Sequence, residues 1–179
     1  PAVKGENIET EINITIEDGF YGVEKKIALK DLEEGTKTIT VKVPEGIQNG
    51  EKIRLIGQGK EGKNGGKNGD MFIKININES EKFKLKGYDI VTDLFLTPWE
   101  AALGEKINVS TPAGTLAVTV PKNSKSGSNL RLKGKGIPAK QAGDLYLTLN
   151  IVNPDIKTEA ATQAYEQLKQ VFADISISR

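Results

Sequence analysis

Polar and apolar residues alternate strictly over Glu9–Ile16, which puts Ile12, Ile14 and Ile16 on one face of a strand. Glu24–Leu29 reads as a second strand with Ile27 and Leu29 on one face, next to the first. Thr38–Val43 and Lys52–Ile56 read as two strands paired through a Pro-led turn, and Met71–Ile77 as the last strand of this set. Glu17–Gly22 has room for one helical turn and ends on a glycine stop. Pro1–Glu6 is polar and expected to fray, and Lys30–Thr36 is a short polar connection. Gly57–Gly69 holds six glycines in thirteen residues and is expected to be a mobile loop. Near the end the period lengthens. Ala161, Tyr165, Leu168 and Phe172 recur at helical spacing, widened by Ala164 and Val171, with Thr158 placed to cap the helix and Glu159 in its first turn. A lone helix of about fifteen residues is marginal, so its stripe must pack on something. Its own second unit and another subunit both remain open.

The chain writes one stretch twice. Thr38–Gly59 and Thr115–Gly136 align without a gap at an offset of 77, and nine of 22 positions are identical. These are Thr38/Thr115, Val41/Val118, Val43/Val120, Pro44/Pro121, Gly50/Gly127, Arg54/Arg131, Leu55/Leu132, Gly57/Gly134 and Gly59/Gly136. Strand and turn formers dominate, so the repeat records a backbone path. It extends forward through Gly69–Ile75 and Gly143–Leu149 at offset 74, and backward through Asp18–Gly22 and Glu100–Gly104 at offset 82. A unit of roughly 75 residues present only twice argues for two similar, mainly β domains in tandem rather than a solenoid. The expected divisions are a frayed 1–6, a first domain at 7–79, a second at 80–155, a helix at 156–174 and a tail at 175–179.

Composition narrows the function. The net charge is +1 and there is neither Cys nor His, which removes Cys/His zinc sites, thiol catalysis, His-based triads and disulfides. No apolar run approaches a membrane span and no signal peptide is visible; the start at Pro1 fits a fragment of a longer chain. Gly57–Gly62 matches G-x-G-x-x-G, but that motif binds phosphate only where a helix begins, and Lys63–Gly69 cannot begin one. Asp70 and Asp144 each follow a Gly at a strand start, where a carboxylate bonds turn N–H groups; one per domain, they do not form a paired catalytic site. Nothing reads as an enzyme, and no cofactor is implied.

Two surfaces remain. Ile12 and Ile14 with Ile27 and Leu29, beside Lys25 and Lys26, form either plain core or an apolar groove edged by lysines that takes an extended peptide by strand addition. From Lys106 to Gly143 there is no acidic residue, and Lys122, Lys125, Arg131, Lys133, Lys135 and Lys140 could meet nucleic acid phosphates.

The ordered set of motifs resembles the C-terminal peptide-binding region of DnaJ-type co-chaperones. Glu17–Gly22 fits the family's first turn, Val41–Gly59 its V-x-[IV]-P-x-G…R-L-x-G-x-G stretch, and Gly69–Met71 its G-D-L strand start. Phe83–Ile90, Glu100–Gly104, Gly134–Pro138 and Gly143–Leu145 fit the hallmarks of its second domain. The match covers about residues 7–173. The J-domain with its His-Pro-Asp motif is absent from these residues, and no zinc repeats interrupt Lys30–Lys37, so the zinc-free subclass is the one resembled. Glu79–Lys82 stands where many members have Pro-His before Phe83. The resemblance implies two β-sandwich-like domains, a dimerising C-terminal helix, and a client groove at Ile12, Lys25, Ile27 and Leu29, with Phe72 or Ile73 on the closing strand. It further implies unfolded clients and a DnaK-type chaperone as partners, DNA as an alternative one, no membrane, and a cytoplasmic or nucleoid-associated location.

Overall fold

The computed structural model describes residues 1–31 and 35–179. The first unit runs β1 (Ile8–Thr15), α1 (Ile16–Tyr21), β2 (Val23–Asp31), β3 (Gly35–Val43), β4 (Lys52–Leu55) and β5 (Met71–Asn78). The second runs β6 (Lys84–Lys86), β7 (Asp89–Leu96), α2 (Pro98–Leu103), β8 (Glu105–Thr111), β9 (Gly114–Val120), β10 (Asn129–Leu132) and β11 (Leu145–Ile151), and α3 (Glu159–Val171) follows. The architecture is mainly β: small sheets in two groups, short helices and a C-terminal helix.

Each short helix opens on a reciprocal cap. Thr15 accepts from the Asp18 N–H while the Asp18 carboxylate accepts from the Thr15 N–H; Thr97 and Glu100 repeat the exchange. Each closes on a glycine with positive φ, Gly22 at +81° and Gly104 at +76°, a conformation that halts the helix and turns the chain into the next strand. The expected helical turn and its glycine stop are therefore present, one per unit.

Strand pairing differs from the sequence reading. β3 pairs with β2, and β4 with β5, so Thr38–Val43 and Lys52–Ile56 are not partners. The Gly50 N–H donates to the Ile75 carbonyl at 2.8 Å and the Ile75 N–H donates to Glu51 at 2.8 Å. The Pro-led segment thus anchors on β5 and carries the chain from one sheet to the other instead of closing a hairpin. Gly127 and Leu149 repeat this at 2.7 Å, which accounts for the shared Gly50/Gly127. β1 likewise does not pair with β2. It pairs in parallel with β5, Ile12 opposite Ile75, in a sheet of order β1-β5-β4, while β2 and β3 form a separate hairpin. The second unit repeats both pairings and adds β6 outside β7, giving the order β10-β11-β7-β6. Of the connection expected at Lys30–Thr36, both ends are strand, and 32–34 lie outside the described residues.

The N-terminal segment is held, not frayed. Val3 exchanges backbone hydrogen bonds with Lys63 at 2.9 Å, the Gly5 N–H donates to Lys67, and the Lys60 N–H donates to Glu6. The glycine-rich loop closes over this segment backbone to backbone: a methyl group on Gly66 would fall on the Val3 carbonyl, and one on Gly69 on the Glu6 carbonyl. The loop expected to be mobile is therefore a clasp. The second unit keeps its counterpart, where a methyl on Gly143 would fall on the Tyr88 carbonyl.

The facing sheets bury Ile14, Ile39, Val41, Ile73, Ile75 and Ile77 in the first unit and Ile90, Val118, Leu145 and Leu147 in the second, as one continuous cluster. Ile47, Phe83 and Ile137 belong to the same cluster, and the Tyr21 hydroxyl donates to the Pro112 carbonyl at 2.6 Å, so the two units share packing.

Candidate functional site

Burial falls off toward one side of the first unit. On β5, Met71, Ile73, Ile75 and Ile77 are all buried, whereas on its neighbour β1 Ile8 and Ile12 are only half-buried. On β3, Ile39, Val41 and Val43 are buried, whereas along β2 Val23, Lys25, Ile27 and Leu29 are half-buried and the intervening Glu24, Lys26, Ala28 and Lys30 are exposed. Each of β1 and β2 has a single strand partner among the described residues, so each keeps one free edge. α1 joins these two edge strands in the chain.

The half-buried surface of these two strands includes Ile12, Lys25, Ile27 and Leu29. Lys25 shares the inward face of β2 with the two apolar residues, and its ammonium lies 3.6 Å from Asp18, the residue that caps α1. Ile8, Val23 and Phe20 also border it as half-buried apolar groups, and the sequence reading missed them. Ile8 was detectable, since it lies two alternation steps before Ile12. The structure does not bring the remaining groove candidates here. Ile14 and Ile73 are core residues, and Ile73 has no exposed surface. Phe72 sits on the other face of β5, where the Arg54 guanidinium lies 5.7 Å from its ring centre.

In the second unit two of the matching positions are more deeply buried. Ile27 and Leu29 correspond to Val109 and Thr111, both buried, and the Thr111 hydroxyl donates to the Gly114 carbonyl. β6 occupies part of the edge of β7 that corresponds to the free edge of β1.

The basic residues divide. Lys122 and Lys125 lie in the connection before β10, and Lys133, Lys135 and Lys140 in the loop after it, so the four-residue strand of about 13 Å separates them. Arg131 is committed: its guanidinium donates to Asp144 at 2.7 Å, the Gly134 N–H donates to the same carboxylate at 2.8 Å, and the ion pair raises the pKa of Arg131. Arg54, Asp70 and Gly57 form the same clip in the first unit. Backbone donation from Gly57 and Gly134, followed by the arginine contacts, holds both carboxyls below the ordinary aspartate value. These carboxylates bond turn N–H groups, as their position in the sequence implies. No group of acidic, His or Cys side chains that could hold a metal is found among the described residues.

Helix α3 buries none of its side chains. Ala161 and Tyr165 are half-buried; the Tyr165 hydroxyl is shielded from solvent without a hydrogen-bond partner among the described residues. Leu168 and Phe172 are exposed, as is Val171 between them. No helix among the described residues is long and apolar enough to cross a membrane.

The family model "DnaJ C terminal domain" matches residues 8–154. The curved DNA-binding protein of Pseudomonas syringae pv. tomato is 38% identical over 179 residues, covering 94% of this chain and 57% of that protein. Those of Escherichia fergusonii and Coxiella burnetii (strain Dugway 5J108-111) are 39% and 33% identical, covering 94% and 93% of this chain and 58% and 56% of theirs. The chain thus spans somewhat more than half the length of these bacterial relatives. Both the motif order and the duplicated sandwich topology agree with these matches, and the chain belongs to the non-enzymatic DnaJ C-terminal domain family.

Proposed function

We propose that the first unit captures exposed apolar segments of unfolded polypeptides along its edge strands β1 and β2. One observation carries this reading: Ile27 and Leu29 on the edge strand β2 are half-buried, while their matches in the second unit, Val109 and Thr111, are buried. An extended client segment can hydrogen-bond to a free edge and set alternate side chains against Ile12, Ile27 and Leu29. Covering the remaining surface of two or three such chains yields a few kcal/mol, consistent with weak and reversible capture. Lys25, half-neutralised by Asp18, disfavours cationic segments. In the longer protein, such clients would pass to a DnaK-type chaperone in the cytoplasm. Self-association through Ala161, Tyr165, Leu168 and Phe172 would set two grooves on one particle, and linked sites retain a long client better than either alone.

Ile27→Ser with Leu29→Ser tests the groove. These partly exposed positions should leave the fold intact by circular dichroism, while suppression of a model client's aggregation falls severalfold. Full suppression by a folded double variant refutes the assignment.

A second reading, DNA binding through the second unit, is supported by the name that the relatives carry and by the acid-free Lys106–Gly143 run. Its lysines divide between the two ends of β10, so contact would be extended along that edge. Gel shifts at two salt concentrations decide it: phosphate contacts weaken steeply with salt, and absence of binding at low salt removes the reading.

A further inference from the structure

Three Asn–Gly pairs lie in the first unit: Asn49–Gly50, Asn64–Gly65 and Asn68–Gly69. All three asparagines are exposed. In such a pair the glycine main-chain nitrogen can attack the carboxamide carbon of the asparagine, because no side chain on the glycine hinders the approach. The bond from that carbon to the carboxamide nitrogen breaks, ammonia leaves and a succinimide ring remains. Water opens the ring on either side, to aspartate or to isoaspartate. The reaction needs a glycine nitrogen that is free and a carboxamide that can turn.

The fold withholds both from two of the pairs. The Gly50 N–H donates to the Ile75 carbonyl at 2.8 Å, and the Asn49 Oδ1 accepts from the Ile77 N–H at 2.7 Å. The Gly69 N–H donates to the Lys60 carbonyl at 2.9 Å, and the Asn68 Oδ1 accepts from the Gly62 N–H at 3.2 Å. Asn64–Gly65 is the exception. Its residues have φ of +53° and +81°, and the Gly66 N–H donates to the Lys63 carbonyl at 2.9 Å, the pattern of a type I′ turn. The Gly65 N–H has no acceptor among the described residues, and chain neighbours apart, nothing lies within 4 Å of where a methyl group on Gly65 would stand. The Asn64 carboxamide makes one long bond, from Nδ2 to the Pro1 carbonyl at 3.3 Å. Asn64 and Asn68 share the sequence Lys-Asn-Gly, so what separates them is the fold.

We propose that Asn64 is a site of spontaneous deamidation, converted by water to aspartate and isoaspartate with loss of ammonia, while Asn49 and Asn68 are protected. Its place gives the change a consequence. Isoaspartate routes the main chain through the former side-chain carbon and lengthens the turn by one atom. The Lys63 carbonyl, which accepts from both the Gly66 and the Val3 N–H groups, is then drawn out of line. The clasp loosens at this outer end as the protein ages, while Asn7 and Asp70 hold its inner end. Isoaspartate at this exposed turn also presents a free α-carboxyl, the group that an isoaspartyl carboxyl methyltransferase esterifies, and an enzyme of that class is the partner the modified site fits.

The test uses the full chain, incubated at physiological temperature in mildly alkaline buffer, beside a second sample in concentrated urea. Both are mapped by peptide mass spectrometry. In the folded sample the mass gain of deamidation should accumulate at Asn64 at least about tenfold faster than at Asn49 or Asn68, because each of those must first break two hydrogen bonds. In urea Asn64 and Asn68 should react alike. Gain at Asn49 or Asn68 that keeps pace with Asn64 in the folded chain, or none at Asn64, overturns the proposal. The same preference for Asn64 in urea also overturns it, since the sequence and not the fold would then set the rate. Methyl transfer from labelled S-adenosylmethionine by an isoaspartyl methyltransferase should mark aged wild type and leave Asn64→Gln unmarked; equal labelling of the two overturns the site. In the aged form, separated by ion exchange, the Val3 amide should lose protection from hydrogen exchange and the Asp70 amide keep it. Unchanged protection at Val3 overturns the loosening of the clasp.

Discussion

Replacing Gly69 by alanine isolates the glycine clasp. The added methyl group would fall on the Glu6 carbonyl oxygen and lie 2.7 Å from the Gly5 oxygen, both backbone atoms that cannot rotate away. The φ of Gly69 is not in the left-handed region, so the effect is steric. To admit the methyl group, the entering segment must move off the loop. That breaks the Lys60 N–H to Glu6 bond at 2.9 Å, the Gly5 N–H to Lys67 bond at 2.8 Å and the Asp70 N–H to Asn7 bond at 2.8 Å. At about 1 kcal/mol net for each, the loss is about 3 kcal/mol. For a chain of this size it lowers the melting temperature by about 6–12 °C. Gly65→Ala is the control. Gly65 has φ +81° and open space around its Cα, so alanine there meets only backbone strain, about 1 kcal/mol. Amide hydrogen exchange should show the Gly69 variant losing protection at Gly5, Lys60 and Asp70, while the Gly65 variant keeps it. Equal effects from the two substitutions, or retained protection in Gly69→Ala, would refute the clasp.

The Asp70 and Asp144 carboxyls have folded pKa values below the unfolded value of about 3.9. The stability they supply is therefore fully present above that value and is lost as pH falls through the depressed folded values. Urea midpoints should show no contribution from this pair to pH dependence between about 5 and 8, and a decline below about 4 that is shallower in Asp70→Asn/Asp144→Asn than in wild type. Thr97→Ala removes the side-chain acceptor for the Glu100 N–H at the start of α2 and should destabilise by about 1 kcal/mol, whereas Thr97→Ser should be near neutral by thermal melting.

What the sequence made legible is local. The glycine stops of α1 and α2, the Thr158 cap of α3 and the inward face of each strand depend on neighbours within a few residues, and each is found where the pattern puts it. Partners across the sheet were not legible. Alternation tells which face of β1 is apolar, but Ile12 lies opposite Ile75, far along the chain, and nothing in either strand encodes that choice. The Pro44–Glu51 connection reads as a hairpin turn because it holds Pro and Gly; its hydrogen bonds to Ile75 instead make it a bridge between sheets. The N-terminal segment misled for a related reason. Its backbone is threaded through a loop, and that pairing is marked by glycines rather than by an apolar pattern: Gly66 and Gly69 on the loop, and Gly5 in the segment itself, where a methyl group would fall on the Lys60 carbonyl. Among the groove candidates, Ile12, Lys25, Ile27 and Leu29 are half-buried on edge strands, whereas Ile14 and Ile73 are core and Phe72 is on the other face of β5, because burial and sheet face are set by the neighbouring strand.

Comparing the two copies divides the chain by purpose. The residues that match, Arg54/Arg131, Gly57/Gly134, Gly59/Gly136 and Asp70/Asp144, build the clip and the clasp that close each sandwich. Such contacts are the same whatever the domain binds, so duplication can leave them unchanged. The residues that differ lie where the units face different neighbours. Ile27 and Leu29 are half-buried in the first unit, and the matching Val109 and Thr111 are buried in the second. Asn13 and Glu17 face solvent where Phe95 and Trp99 present an apolar patch. Had the groove served only as core, the two copies should bury it alike. They instead bury Val109 and Thr111 in the second unit and leave Ile27 and Leu29 half-buried in the first, with Ile12 and its match Leu94 half-buried in both, and at another corner the second unit is the more apolar one.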